Sequence, residues 1–118
     1  MKLCMIGTGY VGLVSGACFA DLGNTVYCVD KDKKKIEILN KGKIPIYEPG
    51  LSEIVKKNYS SRRLIFTSNL EKAVKNSDII FICVGTPSSK KNKSADLSYV
   101  FNAAKQISKF INKFKIIV

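Results

Sequence analysis

Three glycines carry the first chemical signal in this sequence. Gly7, Gly9 and Gly12, in Gly7-Thr8-Gly9-Tyr10-Val11-Gly12, have the spacing G-x-G-x-x-G. They follow the apolar run Lys2–Ile6 and precede a stretch patterned as a helix. Glycine weakens regular structure, so three at this spacing call for a physical reason. Gly7 permits a tight turn, Gly9 lets backbone approach a pyrophosphate without a Cβ in the way, and Gly12 lets helix and strand pack closely. A helix that begins here offers unpaired N–H groups and partial positive charge to an anion. A glycine-rich turn without a ligand has the same spacing, and context separates the two.

Asp30 supplies that context. It ends the next apolar run, at about the 20-residue separation expected of the acid that binds a dinucleotide's ribose. A carboxylate there accepts hydrogen bonds from both ribose hydroxyls and repels a 2′-phosphate, which favours NAD over NADP. Lys31 and Lys33–Lys35 pull the other way, because a nearby cation accommodates a 2′-phosphate. The alternative for Asp30 is an acid that merely ends a strand. Val84-Gly85-Thr86-Pro87 closes another apolar run, where ligands of open α/β sheets bind. Gly85 permits close approach, Thr86 offers a hydroxyl, and Pro87 restricts the turn. A plain turn has the same composition.

These residues need a scaffold that brings strand ends together, and the pattern predicts one. Strands are expected at Lys2–Ile6, Thr25–Val29, Leu64–Thr67 and Ile79–Val84, with a fifth beginning at Lys115–Val118. Helices are expected at Val11–Leu22, Asp32–Asn40, Leu51–Tyr59 and Asn69–Asn76, and from Asp96 to about Asn112 with Val100, Ala103, Ala104, Ile107 and Ile111 as its buried stripe. The first helix is so densely apolar that it is expected to be buried over much of its surface. Ile44–Gly50, with two prolines and a glycine, reads as a shaped loop, and Gly85–Ala95 as a polar one. Strand–helix alternation implies an α/β fold, a Rossmann-like doubly wound parallel sheet with helices on both faces. Residues 1–118 form a single domain. Its last strand has no covering helix after it, so the fold is expected to be truncated there, as a piece of a longer protein.

Composition narrows the function classes. The chain has 118 residues, 46% of them hydrophobic, which matches an ordinary globular domain. No apolar run approaches the ~18 residues of a membrane span. The N-terminus does not read as a signal peptide, because glycines interrupt its apolar stretch. The expectation is a cytoplasmic protein without membrane association. The net charge is +11, from 20 Lys and Arg against 9 Asp and Glu. These cations are spread along the chain without interleaved aromatics, so solvated faces explain them better than nucleic acid does. Cys4, Cys18, Cys28 and Cys83 share no C-x-x-C spacing and the chain has no histidine, which argues against a metal site. They read as buried apolar residues, since a catalytic thiol needs a cationic or basic neighbour that the local sequence does not show.

Beyond its glycines, the sequence is identified by longer stretches. GTGYVGLVSGACFADLGNTVYCVD, GKIPIYEPGL, DIIFICVGTP and ADLSYV together resemble the N-terminal domain of the UDP-glucose/GDP-mannose dehydrogenase family, in particular its UDP-glucose 6-dehydrogenase branch. The resemblance spans essentially the whole chain with the motifs in order. It implies that Gly7, Gly9, Tyr10, Val11 and Gly12 lie at the NAD pyrophosphate, that Asp30 binds the adenosine ribose, and that Lys35 and Thr86 are further NAD contacts. Family members oxidise the C6 alcohol of a nucleotide sugar to a carboxylate. They pass two hydrides to two NAD⁺ in turn and hold the aldehyde stage on a cysteine. UDP-glucose as substrate, UDP-glucuronate for polysaccharide synthesis as product, and homo-oligomeric assembly of the full-length protein follow as expectations. The family's catalytic residues match no position of this chain, and none of its four cysteines matches the nucleophile. No catalytic residue is therefore expected within 1–118, which alone should be inactive. A GDP-mannose or UDP-N-acetylmannosamine 6-dehydrogenase and a non-catalytic NAD-binding module remain open alternatives.

Overall fold

The computed structural model describes residues 1–118. Five strands, β1 (Lys2–Ile6), β2 (Thr25–Val29), β3 (Leu64–Thr67), β4 (Ile79–Ile82) and β5 (Ile116–Ile117), alternate with helices α1 (Tyr10–Asp21), α2 (Lys33–Asn40), α3 (Leu51–Ser60), α4 (Leu70–Asn76) and α5 (Ser98–Ser108). The strands form one sheet in the order β3-β2-β1-β4-β5. Every pairing is parallel, which confirms the doubly wound Rossmann-like arrangement.

Side-chain alternation explains why both faces are covered. In β1, Leu3 and Met5 join a core with Leu13 and Ala17 of α1, Leu39 of α2 and Val55 of α3. Cys4 and Ile6 point the other way, into a smaller core with Ala73 and Val74 of α4 and Ile107 of α5. The chain leaves β1 toward α1 on one face and β4 toward α5 on the other. Since β1 and β4 are neighbours, a crevice opens between their carboxyl ends, where such sheets take ligands.

Small residues bring α1 close to the sheet. Gly12, Leu13, Gly16, Ala17 and Ala20 are its buried residues. A Cβ on Gly16 would lie 2.7 Å from Cys28 Sγ and 3.2 Å from Met5 Cγ. The close helix–sheet contact therefore rests on Gly16, a position that the motif does not mark. Density of apolar residues overstated the helix's burial: Val11, Cys18 and Leu22 face solvent.

Other boundaries also differ from expectation. β4 ends at Ile82 rather than Val84. Its last rung to β1 is Cys83 N–H donating to Ile6 O at 2.8 Å, and β1 then turns away at Gly7. α5 ends at Ser108, with only Ile107 of the expected stripe fully buried. Val100 and Ala103 are half-buried, whereas Ala104 and Ile111 are exposed, because α5 covers a sheet margin and Ile111 lies beyond the helix. Residues 85–95 fold back on themselves, with Ser88 paired to Ala95 and Ser89 N–H donating to Ser94 O at 2.7 Å. No helix is long and apolar enough to cross a membrane.

Candidate functional site

The glycine loop is built by steric exclusion. Gly7 adopts φ +105°, where side chains are strained, and a Cβ there would lie 2.6 Å from Cys83 O. A Cβ on Gly12 would lie 1.8 Å from Gly7 O, so Gly12 makes room for the loop itself. Gly9 differs from both. It is the N-cap of α1 at φ −75°, and a Cβ built on it meets nothing within 4 Å. Its bare Cα borders open space, and no side chain caps this end of α1. The N–H groups of the first turn are left to a ligand or water.

Asp30 is held more tightly than a ribose acceptor alone requires. Thr8 N–H and Thr8 Oγ1 both donate to Asp30 Oδ2, at 3.0 and 2.8 Å. Asp32 N–H donates to Asp30 Oδ1 at 3.0 Å, and Lys35 Nζ lies 3.6 Å from Oδ2. Desolvation pushes the carboxyl's pKa up. The bonds from Asp32 and Thr8 and the Lys35 charge outweigh it, leaving the carboxyl below its ordinary value. Asp30 is thus an anion that also clasps the glycine loop to the end of β2. Thr8, only 1% exposed, makes this clasp. The sequence motif leaves its position unspecified, so Thr8 went unmarked.

Together these elements enclose a cavity of about 800 Å³, within the range of cofactor sites. Of the residues expected at a cofactor site, Gly7, Gly9, Asp30, Lys35 and Thr86 line it. Gly12 is buried beneath the loop and is not a wall residue. Tyr10 and Val11 are 56% and 66% exposed and are also absent from the walls. Tyr10 OH donates to Tyr47 O at 3.3 Å, tying α1 to the Ile44–Gly50 loop. A further wall, which no motif marks, comes from α5 and includes Tyr99, Asn102 and Gln106. Their i, i+3 and i+7 spacing places them on one helical face, but only topology turns that face toward Asp30. Lys31 Nζ sits 5.6 Å from the centre of the Tyr99 ring, bridging the β2–α2 turn and α5 across the cavity.

Cys4, Cys28 and Cys83 are held as protonated thiols. Burial first, then the neighbouring Cys83, pushes the Cys4 thiol up to about 12. Burial also raises Cys28 and Cys83. Cys83, half-buried, lines the cavity as a neutral thiol at neutral pH.

Comparison with known proteins agrees with this geometry. The family model described as "UDP-glucose/GDP-mannose dehydrogenase family, NAD binding domain" matches residues 1–118. The UDP-glucose 6-dehydrogenase of Rhizobium meliloti is 56% identical over 118 residues, covering 100% of this chain and 27% of that protein. UDP-glucose 6-dehydrogenase TuaD of Bacillus subtilis is 56% identical over 117 residues, covering 99% of this chain and 25% of that protein. A crystal structure of a ternary complex of GDP-mannose dehydrogenase from Pseudomonas aeruginosa superposes with a TM-score of 0.89 at 42% identity, over 96% of this chain and 26% of that one. The chain spans about a quarter of the length of the curated relatives it matches.

Proposed function

The chain belongs to the UDP-glucose/GDP-mannose dehydrogenase family, and from that premise we propose that its cavity seats NAD⁺ with the ribose on Asp30 and the pyrophosphate over Gly9. The observation that carries this reading is the contrast among the glycines. Within the motif, Gly7 and Gly12 are crowded by backbone, whereas Gly9 faces open space beside an uncapped helix start that borders the cavity. That is what a phosphate cradle requires.

The other residues take roles by position. Tyr10, Val11 and Gly12 serve through the backbone N–H groups of the first turn, which accounts for their side chains being absent from the walls. Asp30, ionised and preset by Thr8 and Asp32, accepts from ribose hydroxyls. Lys35 offsets its charge, and Thr86 offers a hydroxyl from the loop after β4. When bound, NAD⁺ supplies the hydride acceptor, while this chain's residues hold it, orient it and border the crevice where a substrate alcohol approaches.

The whole enzyme on this reading oxidises C6 of UDP-glucose to UDP-glucuronate with two NAD⁺, as a homo-oligomer in the cytoplasm. The 56% identity to two UDP-glucose 6-dehydrogenases supports UDP-glucose as the sugar nucleotide. Residues 1–118 alone bind NAD⁺ without turning over UDP-glucose, since the one cysteine on the cavity wall, Cys83, is held as a protonated thiol. Calorimetric titration tests the core of the proposal. Gly9→Ala should weaken NAD⁺ by more than about tenfold, or over ~1.4 kcal/mol, with the urea midpoint unchanged. Undiminished affinity in that variant removes the glycine loop from the site. Steady NADH formation from UDP-glucose by the 118-residue chain would overturn its inactivity.

A further inference from the structure

Thr8 carries the only side chain in the turn Gly7–Gly9. Backbone alone docks that turn on the end of β2. Gly7 N–H donates to Val29 O at 2.7 Å, and Thr8 N–H donates to Asp30 Oδ2 at 3.0 Å. Any residue but proline at position 8 could make the second of these bonds. The bond from Thr8 Oγ1 to Asp30 Oδ2, at 2.8 Å, needs a hydroxyl. Thr8 is buried, so that hydroxyl is committed to the carboxylate and not to solvent.

An aspartate has little say in where its own carboxylate points. Its last torsion is broad and roughly two-fold, so donors set the direction. Three hydrogen bonds hold Asp30, two from Thr8 on Oδ2 and one from Asp32 N–H on Oδ1. Lys35 Nζ, at 3.6 Å from Oδ2, adds charge from beyond hydrogen-bond distance and does not aim the group. Asp30 is therefore fixed before a ligand arrives, and a preset acceptor gives up less freedom on binding. Thr8 also adjoins Gly9 in the chain, so one residue joins the ribose acceptor to the phosphate seat.

We infer that Thr8 is a positioning residue for the cofactor: its hydroxyl aims Asp30 at the adenosine ribose and so sets how strongly the site prefers a ribose to a 2′-deoxyribose. The first variable position of the glycine motif then carries part of the ribose selectivity, acting through Asp30. The inference rests on the proposed seating of the ribose at Asp30.

Thr8→Val, which keeps the side chain's shape and loses its hydroxyl, tests this by calorimetric titration with two ligands. These are NAD⁺ and its analogue built on 2′-deoxyadenosine. The wild-type chain should bind NAD⁺ at least about tenfold more tightly than the analogue, as expected for a hydrogen bond to a charged acceptor. In Thr8→Val that preference should fall below about threefold, because a carboxylate left unaimed loses most of that bond. Thr8→Ser, which restores the hydroxyl, should keep the wild-type preference. General loosening of the loop would instead weaken both dinucleotides by the same factor and leave the preference intact. That result, or failure of Thr8→Ser to keep the preference, overturns the inference. If circular dichroism shows Thr8→Val unfolded, the same ratio measured in Thr8→Ala decides. A wild-type chain that fails to bind NAD⁺, or binds the analogue equally well, overturns the proposed seating itself and the inference with it.

Discussion

At the scale of the residue, the glycines and Asp30 divide structural from ligand-facing work. Gly12→Ala forces a Cβ to within 1.8 Å of Gly7 O. Backbone must move, and urea denaturation should show a loss of about 1–3 kcal/mol or more. Gly9→Ala, with open space around it, should leave stability within about 0.5 kcal/mol while impairing NAD⁺ binding. Asp30 has its pKa depressed in the folded chain, so its stabilising contribution is complete above the unfolded value of ~3.9. That contribution is lost as pH falls through the lower folded value. Asp30→Asn should therefore lose less stability than wild type between about pH 5 and pH 3, as followed by urea midpoints across that range. The place of Asp30 at the end of β2 was legible from its spacing. Its clasp on Thr8 was not, because a hydrogen bond across 22 positions of sequence leaves no local pattern.

Among the elements, α2 links cap and site. Asp32, expected as its first residue, is its N-cap, with Oδ1 accepting from Lys34 N–H at 3.0 Å and Lys35 N–H at 3.2 Å. Its own N–H holds Asp30. Asp32→Ala should cost about 1 kcal/mol of stability. It should also weaken NAD⁺ binding, because the turn that orients Asp30 and Lys35 loosens; thermal melts with and without NAD⁺ separate the two effects. Every element's type and order was legible from apolar periodicity. The ends of β4 and α5 were not, because a strand stops where its partner stops and a helix's buried stripe depends on what lies beneath it.

For the molecule as a whole, the sheet order sets which cysteines meet solvent and which meet the cavity. Cys18 is exposed, Cys4 and Cys28 are buried, and Cys83 is intermediate at the cavity wall. A thiol reagent should label Cys18 rapidly and Cys83 slowly, and should leave Cys4 and Cys28 unlabelled until the chain unfolds. NAD⁺ should slow labelling of Cys83 but not Cys18, as peptide mapping would show. Equal protection of both would place NAD⁺ elsewhere. Saturation at a hundred times Kd should add about 2.7 kcal/mol, raising Tm by roughly 10 °C.

The sequence by itself determined the cradle and the scaffold's class. Glycine spacing, an acid at a strand end and strand–helix alternation are local constraints, each enforced by backbone sterics or by the period of a single element. Only the tertiary structure decided that Thr8 fastens Asp30, that Gly16 joins Gly12 in setting the helix–sheet approach, and that Lys31 and Tyr99 meet across the cavity. Those contacts join residues from separate elements, and the placing of β4 beside β1 brings α5 over the site where β2 ends.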